Sequence, residues 1–402
     1  VLAFRGAIEW GQWLLLPAGG GDGYEVLPLA ARVALPLTAG LLLGLAFDRL
    51  PGTLREVGVN HVLKRLLAPG RERLPFGNMV VQFLGAVVAI VGGHSVDREG
   101  PAVHLGAASA SLVGQRLGLD AEEERTLLAA GAAAAIAAAF NTPLAGVVFS
   151  IEVLRIRYQV SRFLPVIVAA VMGAMASRMV SLHDTGFPVV PEYLGSQWEL
   201  LALLLLGAGV GLLAVGFSAL AAGVARRTGH WPCAVTFPLA GLVTGLLALW
   251  TPQIMGISYD TLALMLVGEG SLPLVLPLMV TKLAATAISI GLRVPGGLIG
   301  PTMFIGGAAG STLRLALPGL ALAHAASPGF YATIGMAAMM GATLRAPLAA
   351  LTALLELTAN PNIILPGMIA IACAELVSRS LRGERSVFDM LLDAQAVRGT
   401  RP

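Results

Sequence analysis

Glu99 stands directly before Gly100-Pro101 in a stretch of the chain with few charges. Proline suits the first turn of a helix, so the pair marks a helix start. A helix start presents unpaired N–H groups and the positive end of the helix dipole. In apolar surroundings it draws an anion without committing a full positive charge. That suits an ion that must bind and then leave; an Arg or Lys deep in a pore would hold it too tightly. A carboxylate at Glu99 competes for the same pocket while ionised and vacates it when protonated. A second such start lies at Gly300-Pro301, and a third at the segment after Gly58 (GVNHVLKRLL). Asp97, His94-Ser95, His61, His104 and Glu152 are the other polar groups near these starts. His104 reads as a packed, hydrogen-bonded residue, and His61, an imidazole within the third start, as a group that tunes pH sensitivity.

The elements that must carry these residues read as membrane helices. Hydrophobic residues make up 56% of the 402, charged residues 12%, and mean hydropathy is +0.80. Soluble domains carry about 25% charged residues. Charge-free runs cover 74–96, 126–151, 200–225, 294–313, 315–344 and 357–374, and most are long enough for the roughly 20 apolar residues that cross a bilayer as helix. Net charge is only +3, with no basic tract suited to nucleic acid. Arg49, Arg55, Lys64, Arg65, Arg71 and Arg73, and then Arg379, Arg382, Arg385, Arg398 and Arg401, form two basic clusters. The positive-inside tendency puts both, and with them both termini, in the cytoplasm. Cys233 and Cys373 are isolated and read as small buried residues. No group of residues has the spacing of a catalytic triad, a metal site or a nucleotide-binding loop, so the chain reads as no enzyme, with no metal and no cofactor.

Gly (49) and Pro (24) are abundant for simple spanning helices, which points to helices broken within the membrane. The breaks repeat. Gly100-Pro101-Ala102-Val103 followed by Gly106-Ala107-Ala108 returns as Gly300-Pro301-Thr302-Met303 followed by Gly306-Gly307-Ala308. Gly131 to Pro143 returns as Gly335 to Pro347, 12 residues in each case, and nine residues then lead to Glu152 and to Glu356. The chain therefore divides into repeats at 1–195 and 196–402, together one membrane domain. Matching broken helices place a binding site between the repeats near the midplane. The shared position of Glu152 and Glu356 favours a structural role for both.

Arg98-Glu99-Gly100-Pro101-Ala102-Val103 resembles the G-[KR]-E-G-P-x-V signature of the CLC family of chloride channels and chloride/proton antiporters. Pro295-Gly296-Gly297-Leu298-Ile299-Gly300-Pro301 is similar to the family's second pore motif, G-x-F-x-P, and Ala138 to Gly146 (AAFNTPLAG) to its A-A-F-N-x-P-L-A-G segment. The resemblance runs in order over nearly the whole chain. It implies an all-α polytopic membrane protein with two repeats of inverted topology and about 17 or 18 broken or tilted helices. It also implies a homodimer in membrane lipid with one pore per subunit, in the inner membrane of a bacterium. Glu99 would be the gating glutamate. Gly58, Val59, Gly100, Pro101, Leu298, Ile299 and Phe388 would line the anion site.

Several positions depart from the family pattern. Asp97 stands where the family usually has Gly. The family's G-S-G-I-P loop aligns with Gly58-Val59-Asn60-His61-Val62, which lacks the serine hydroxyl. Phe388 takes the place of the pore tyrosine and Ile299 that of the motif phenylalanine. Both side-chain hydroxyls are thus missing, leaving backbone N–H groups near Leu298, Ile299 and Gly100 to hold the ion, and central binding should be weaker. Val153 stands where many antiporters carry the inner proton glutamate, and a valine relays no proton. Fluoride exporters of the family also lack the serine, but their Met and Asn at the two positions are not found here. The expectation is chloride transport gated by Glu99, channel-like or weakly proton-coupled. The alternative is a chloride/proton antiporter with a non-standard internal path, in which Glu99 and Glu152 are the candidate proton carriers. A membrane scaffold with a degenerate pore is the remote third reading.

Overall fold

Proline and acidic caps set many of the helix starts in the computed structural model, which describes residues 1–17, 23–67, 73–156, 160–180, 187, 194–317 and 326–396. Seventeen α-helices lie among them. The first eight are α1 (Leu2–Leu15), α2 (Leu29–Arg49), α3 (Gly58–Leu67), α4 (Phe76–Val91), α5 (Glu99–Leu117), α6 (Ala121–Phe140), α7 (Pro143–Glu152) and α8 (Val160–Val180). The rest are α9 (Glu199–Thr228), α10 (Cys233–Leu247), α11 (Tyr259–Leu266), α12 (Leu272–Gly291), α13 (Ile299–Ala316), α14 (Pro328–Leu344), α15 (Pro347–Thr358), α16 (Ile364–Arg382) and α17 (Val387–Ala396). Arg71 of the first basic cluster, and Arg398 and Arg401 of the second, lie outside the described residues.

Local chemistry accounts for the boundaries. Asp120 accepts the N–H groups of Glu122 and Glu123, and Glu123 returns a bond to the Asp120 N–H, a complete capping box at α6. Prolines occupy the first turns of α7, α14 and α15. Asn141 and Arg345, both left-handed, end α6 and α14 at matching positions. α5 and α13 start differently: the residue capping each, Arg98 and Leu298, offers no side-chain bond.

Half-buried carboxylates cap other helices from a distance. Glu152 at the end of α7 accepts the N–H groups of Leu348 and Ala349 at the start of α15, at 3.1 and 2.7 Å. Glu356 in α15 returns the same pair of bonds to Leu144 and Ala145 of α7, at 2.9 and 2.8 Å. Asp48 in α2 does so for Cys233 and Ala234 of α10. Each bond set replaces the water that a helix start would otherwise need.

Small residues let helices approach closely where no water-driven force brings them together. A Cβ on Gly106 would lie 2.3 Å from the Gly131 carbonyl, and one on Gly306 2.2 Å from that of Gly335. α5 therefore packs on α6, and α13 on α14, backbone to backbone. α14 is buried from Gly329 to Leu344 and forms the centre of the molecule with α9 and α13. Around this centre, α2, α8, α9, α12 and the 361–395 segment are long and apolar enough to cross a membrane. Their outward side chains include Leu42, Met179, Leu201 and Leu365, all exposed. Such an apolar exterior belongs in lipid.

Candidate functional site

Two matching loops bring the starts of α5 and α13 together. In each, the chain makes a short turn, Val96 N–H to His94 carbonyl and Gly296 N–H to Val294 carbonyl. Asp97 and Gly297 then exchange backbone hydrogen bonds, both 3.1 Å, across the two loops. The approach is so close that a Cβ on Gly100 would sit 2.7 Å from the Gly297 Cα.

The Asp97 carboxylate occupies the gap between these helix starts. It is fully buried. Its Oδ1 accepts the Gly100 N–H at 3.1 Å, and its Oδ2 accepts the Gly300 N–H at 2.5 Å. Glu99, the first residue of α5, is also fully buried. Its Oε1 lies 3.4 Å from Arg98 Nε, while Oε2 has no hydrogen-bond partner. Tyr259 of α11 borders both carboxylates, and its ring lies 5.5 Å from the Arg98 guanidinium carbon. Lys282 fixes the turn before Tyr259: its Nζ donates to the Ile254 and Gly256 carbonyls and to Ser258 Oγ, at 3.0, 3.1 and 2.7 Å.

A cavity of about 440 Å³ reaches this junction, and its walls include Gly58, Val59, Gly100, Leu298, Ile299 and Phe388. Six positions expected at an anion site thus share one cavity. Pro101 does not line it. Two expected donors point elsewhere. The Gly100 N–H goes to Asp97, and the Gly58 N–H goes to Gln82 Oε1 at 2.5 Å. Glu99 does not line the cavity either. Asp97 does not line it either; what sets it apart is that it binds amides at both helix starts, at Gly100 and Gly300. The reason is geometric: Asp97 precedes the start by enough chain for its oxygens to fold back onto both helices.

His61 and His104 meet as well. His61 Nδ1 and His104 Nε2 are 3.0 Å apart in stacked, buried rings. Arg65 Nε donates to His61 Nε2 at 3.1 Å, and Glu56 lies 3.6 Å from that same nitrogen. With Arg65 donating there, the His61 proton sits on Nδ1 and points to His104, whose own proton sits on Nδ1. That nitrogen is buried without a partner. Glu152 lies apart, both oxygens bound to α15, and does not line the cavity. Val153 is buried.

Residues 39–379 match the family model described as voltage gated chloride channel. The chain belongs to this CLC family. It is an integral membrane protein of anion transport. A ClcB-like protein of Ralstonia nicotianae is 31% identical over 380 residues, covering 92% of this chain and 88% of the relative. The H(+)/Cl(-) exchange transporter ClcA of Vibrio vulnificus is 32% identical over 330 residues, 78% of this chain and 68% of the relative. Among solved structures, a slow cyanobacterial Cl-/H+ antiporter superposes with a TM-score of 0.85 at 22% identity, covering 99% of this chain and 95% of that one. A CLC-type fluoride/proton antiporter gives 0.68 at 21% identity, with 90% and 98% covered. At those identities the two structures establish the fold alone.

Asp97, Gln82, Tyr259 and Lys282 carry more of the site than their sequence positions suggest. A lysine inside the apolar run of α12 is a usable signal, because a membrane-embedded charge seldom lacks a role. Gln82 carries no comparable signal.

Proposed function

We propose that this protein exchanges chloride for protons across the membrane, with Glu99 as the proton-carrying carboxylate. The observation that carries the reading is the Glu99 Oε2 atom, buried and without a hydrogen-bond partner where the starts of α5 and α13 meet. An ionised carboxylate oxygen left bare in a dry site is costly, and a proton removes that cost. Relatives named as H(+)/Cl(-) exchange transporters support the same reading. Chloride is the permeant species, and the work needs neither catalysis nor a cofactor.

With valine at 153, protons need another inner route. The His61–His104 pair offers one: His61 lines the cavity, and His104 shares α5 with Glu99. Five residues along a helix advance by about 7.5 Å, a distance one or two waters bridge. Glu152 is not favoured, because its two oxygens are committed to α15. The protein would work as a homodimer, one pathway per subunit, in a bacterial inner membrane, its termini and the charged cavity mouth with Arg55, Glu56 and Lys64 toward the cytoplasm. The repeats at 1–195 and 196–402 would be inverted copies.

Channel-like conduction is the second reading, favoured by the buried, apolar Val153. Reconstitution of the Glu99→Gln variant separates the two. Exchange predicts that chloride flux persists while linked proton movement disappears. Loss of neither would remove Glu99 from the mechanism.

A further inference from the structure

Asp48, Asp97, Glu152 and Glu356 each accept backbone N–H groups from helix starts, and Asp97, fully buried where the other three are half-buried, does so differently. Glu152, Glu356 and Asp48 each take two consecutive N–H groups of a single helix. That is the geometry of a permanent cap. Asp97 instead bridges two helices, accepting Gly100 of α5 and Gly300 of α13, with the Glu99 N–H also on its carboxylate. Gly100 and Gly297, which contact it, are on the cavity wall, so the Asp97 carboxylate and Gly300 stand directly behind that wall.

A halide and a carboxylate ask the same of a protein: N–H donors and the positive ends of helix dipoles. The Asp97 oxygens use the donors that converging helix starts would offer a free anion. Space for the carboxylate is built in, since a Cβ on Gly297 would lie 1.8 Å from Asp97 Oδ1. The neighbouring Glu99 is left with a bare oxygen in the same buried cluster. Two carboxylates thus stand beside one pair of helix starts, and only Asp97 holds those two amides. The charged groups around it are Glu99 and Arg98, with the Tyr259 hydroxyl also close.

We propose that Asp97 is a tethered anion seated in the permeation site, and that a mobile anion binds between α5 and α13 only when this carboxylate swings off Gly100 and Gly300. Asp97 then sets how tightly chloride is held and how fast it passes. The inference rests on the reading of this cavity as the anion path.

The test uses the full chain with Asp97→Gly and Asp97→Asn, beside the unchanged protein and Glu99→Gln. Chloride binding is measured by calorimetry in chloride-free buffer, and chloride efflux from liposomes in parallel. Two charge-assisted donors set free predict chloride affinity at least about tenfold higher in Asp97→Gly. Efflux should rise as well, and Asp97→Asn, which keeps one acceptor but no charge, should fall between. A folded Asp97→Gly with unchanged or weaker chloride binding would overturn the proposal and leave Asp97 as a clamp between two helices. Should Asp97→Gly not yield monodisperse protein, Asp97→Asn decides by the same criterion. If Glu99→Gln alters efflux while neither Asp97 variant alters binding, only this inference fails. If no protein moves chloride, the transport reading fails, and calorimetry still decides whether Asp97 occupies an anion site.

Discussion

Removing a charge from water costs several kcal/mol unless fixed donors or acceptors replace the lost hydration. The polar residues inside this protein sort by how fully that replacement is made. Lys282 is fully buried, and its ammonium meets two carbonyls and a hydroxyl, with the Phe304 ring 5.5 Å away. It holds the 254–258 turn that leads to Tyr259. Lys282→Met keeps the bulk but strands the Ile254 and Gly256 carbonyls, so stability should fall by about 2–4 kcal/mol. A melting curve in detergent reads this directly; an unchanged midpoint would mean the turn is held by other contacts. Glu99 lies at the other extreme, with one oxygen near Arg98 and one bare. Asp97 is satisfied, but by groups that belong to two different helices. The satisfied groups hold the architecture, and Glu99 and Asp97 are where an ion or a proton can change the balance.

At the scale of elements, local sequence is highly informative. Gly-Pro and Thr-Pro starts, the capping residue Asp120 and the paired glycines act over one or two turns, so α5, α6, α7, α13, α14 and α15 are legible from their own residues. What the sequence conceals depends on residues distant along the chain. Asp97 reaches Gly300 across 203 residues, Glu152 reaches Leu348 across 196, and His61 meets His104 across 43. No spacing rule encodes these contacts; the loop pairing at Asp97 and Gly297 creates the first of them. The Gly58 and Gly100 amides bind Gln82 and Asp97 in this structure, and nothing in the sequence marks those two as their partners. Glu152 and His61 can be compared directly as proton carriers. Glu152→Gln, which retains one acceptor for α15, should leave the proton-to-chloride ratio unchanged, whereas His61→Phe should lower it severalfold. Ratio measurements in liposomes check both, and the reverse pattern would return Glu152 to the proton path.

For the whole molecule, the same device recurs from rim to centre. Carboxylates close helix starts distant in sequence, between α2 and α10, between α7 and α15, and from the loop before α5 onto α13. Broken helices need such closure, because lipid supplies no hydrogen bonds. An apolar exterior, a tightly packed centre around α14 and a cavity reaching the paired starts of α5 and α13 frame the proposed exchange. The most direct measurement records chloride and proton movement together in liposomes holding the unchanged protein. Liposomes loaded with high chloride are placed in low-chloride medium, with no imposed pH difference. Exchange predicts that chloride leaves while protons enter in fixed proportion, acidifying the interior and continuing against a modest opposing pH gradient. Chloride efflux with no linked proton uptake, once the membrane potential is clamped, would contradict the account and establish passive conduction.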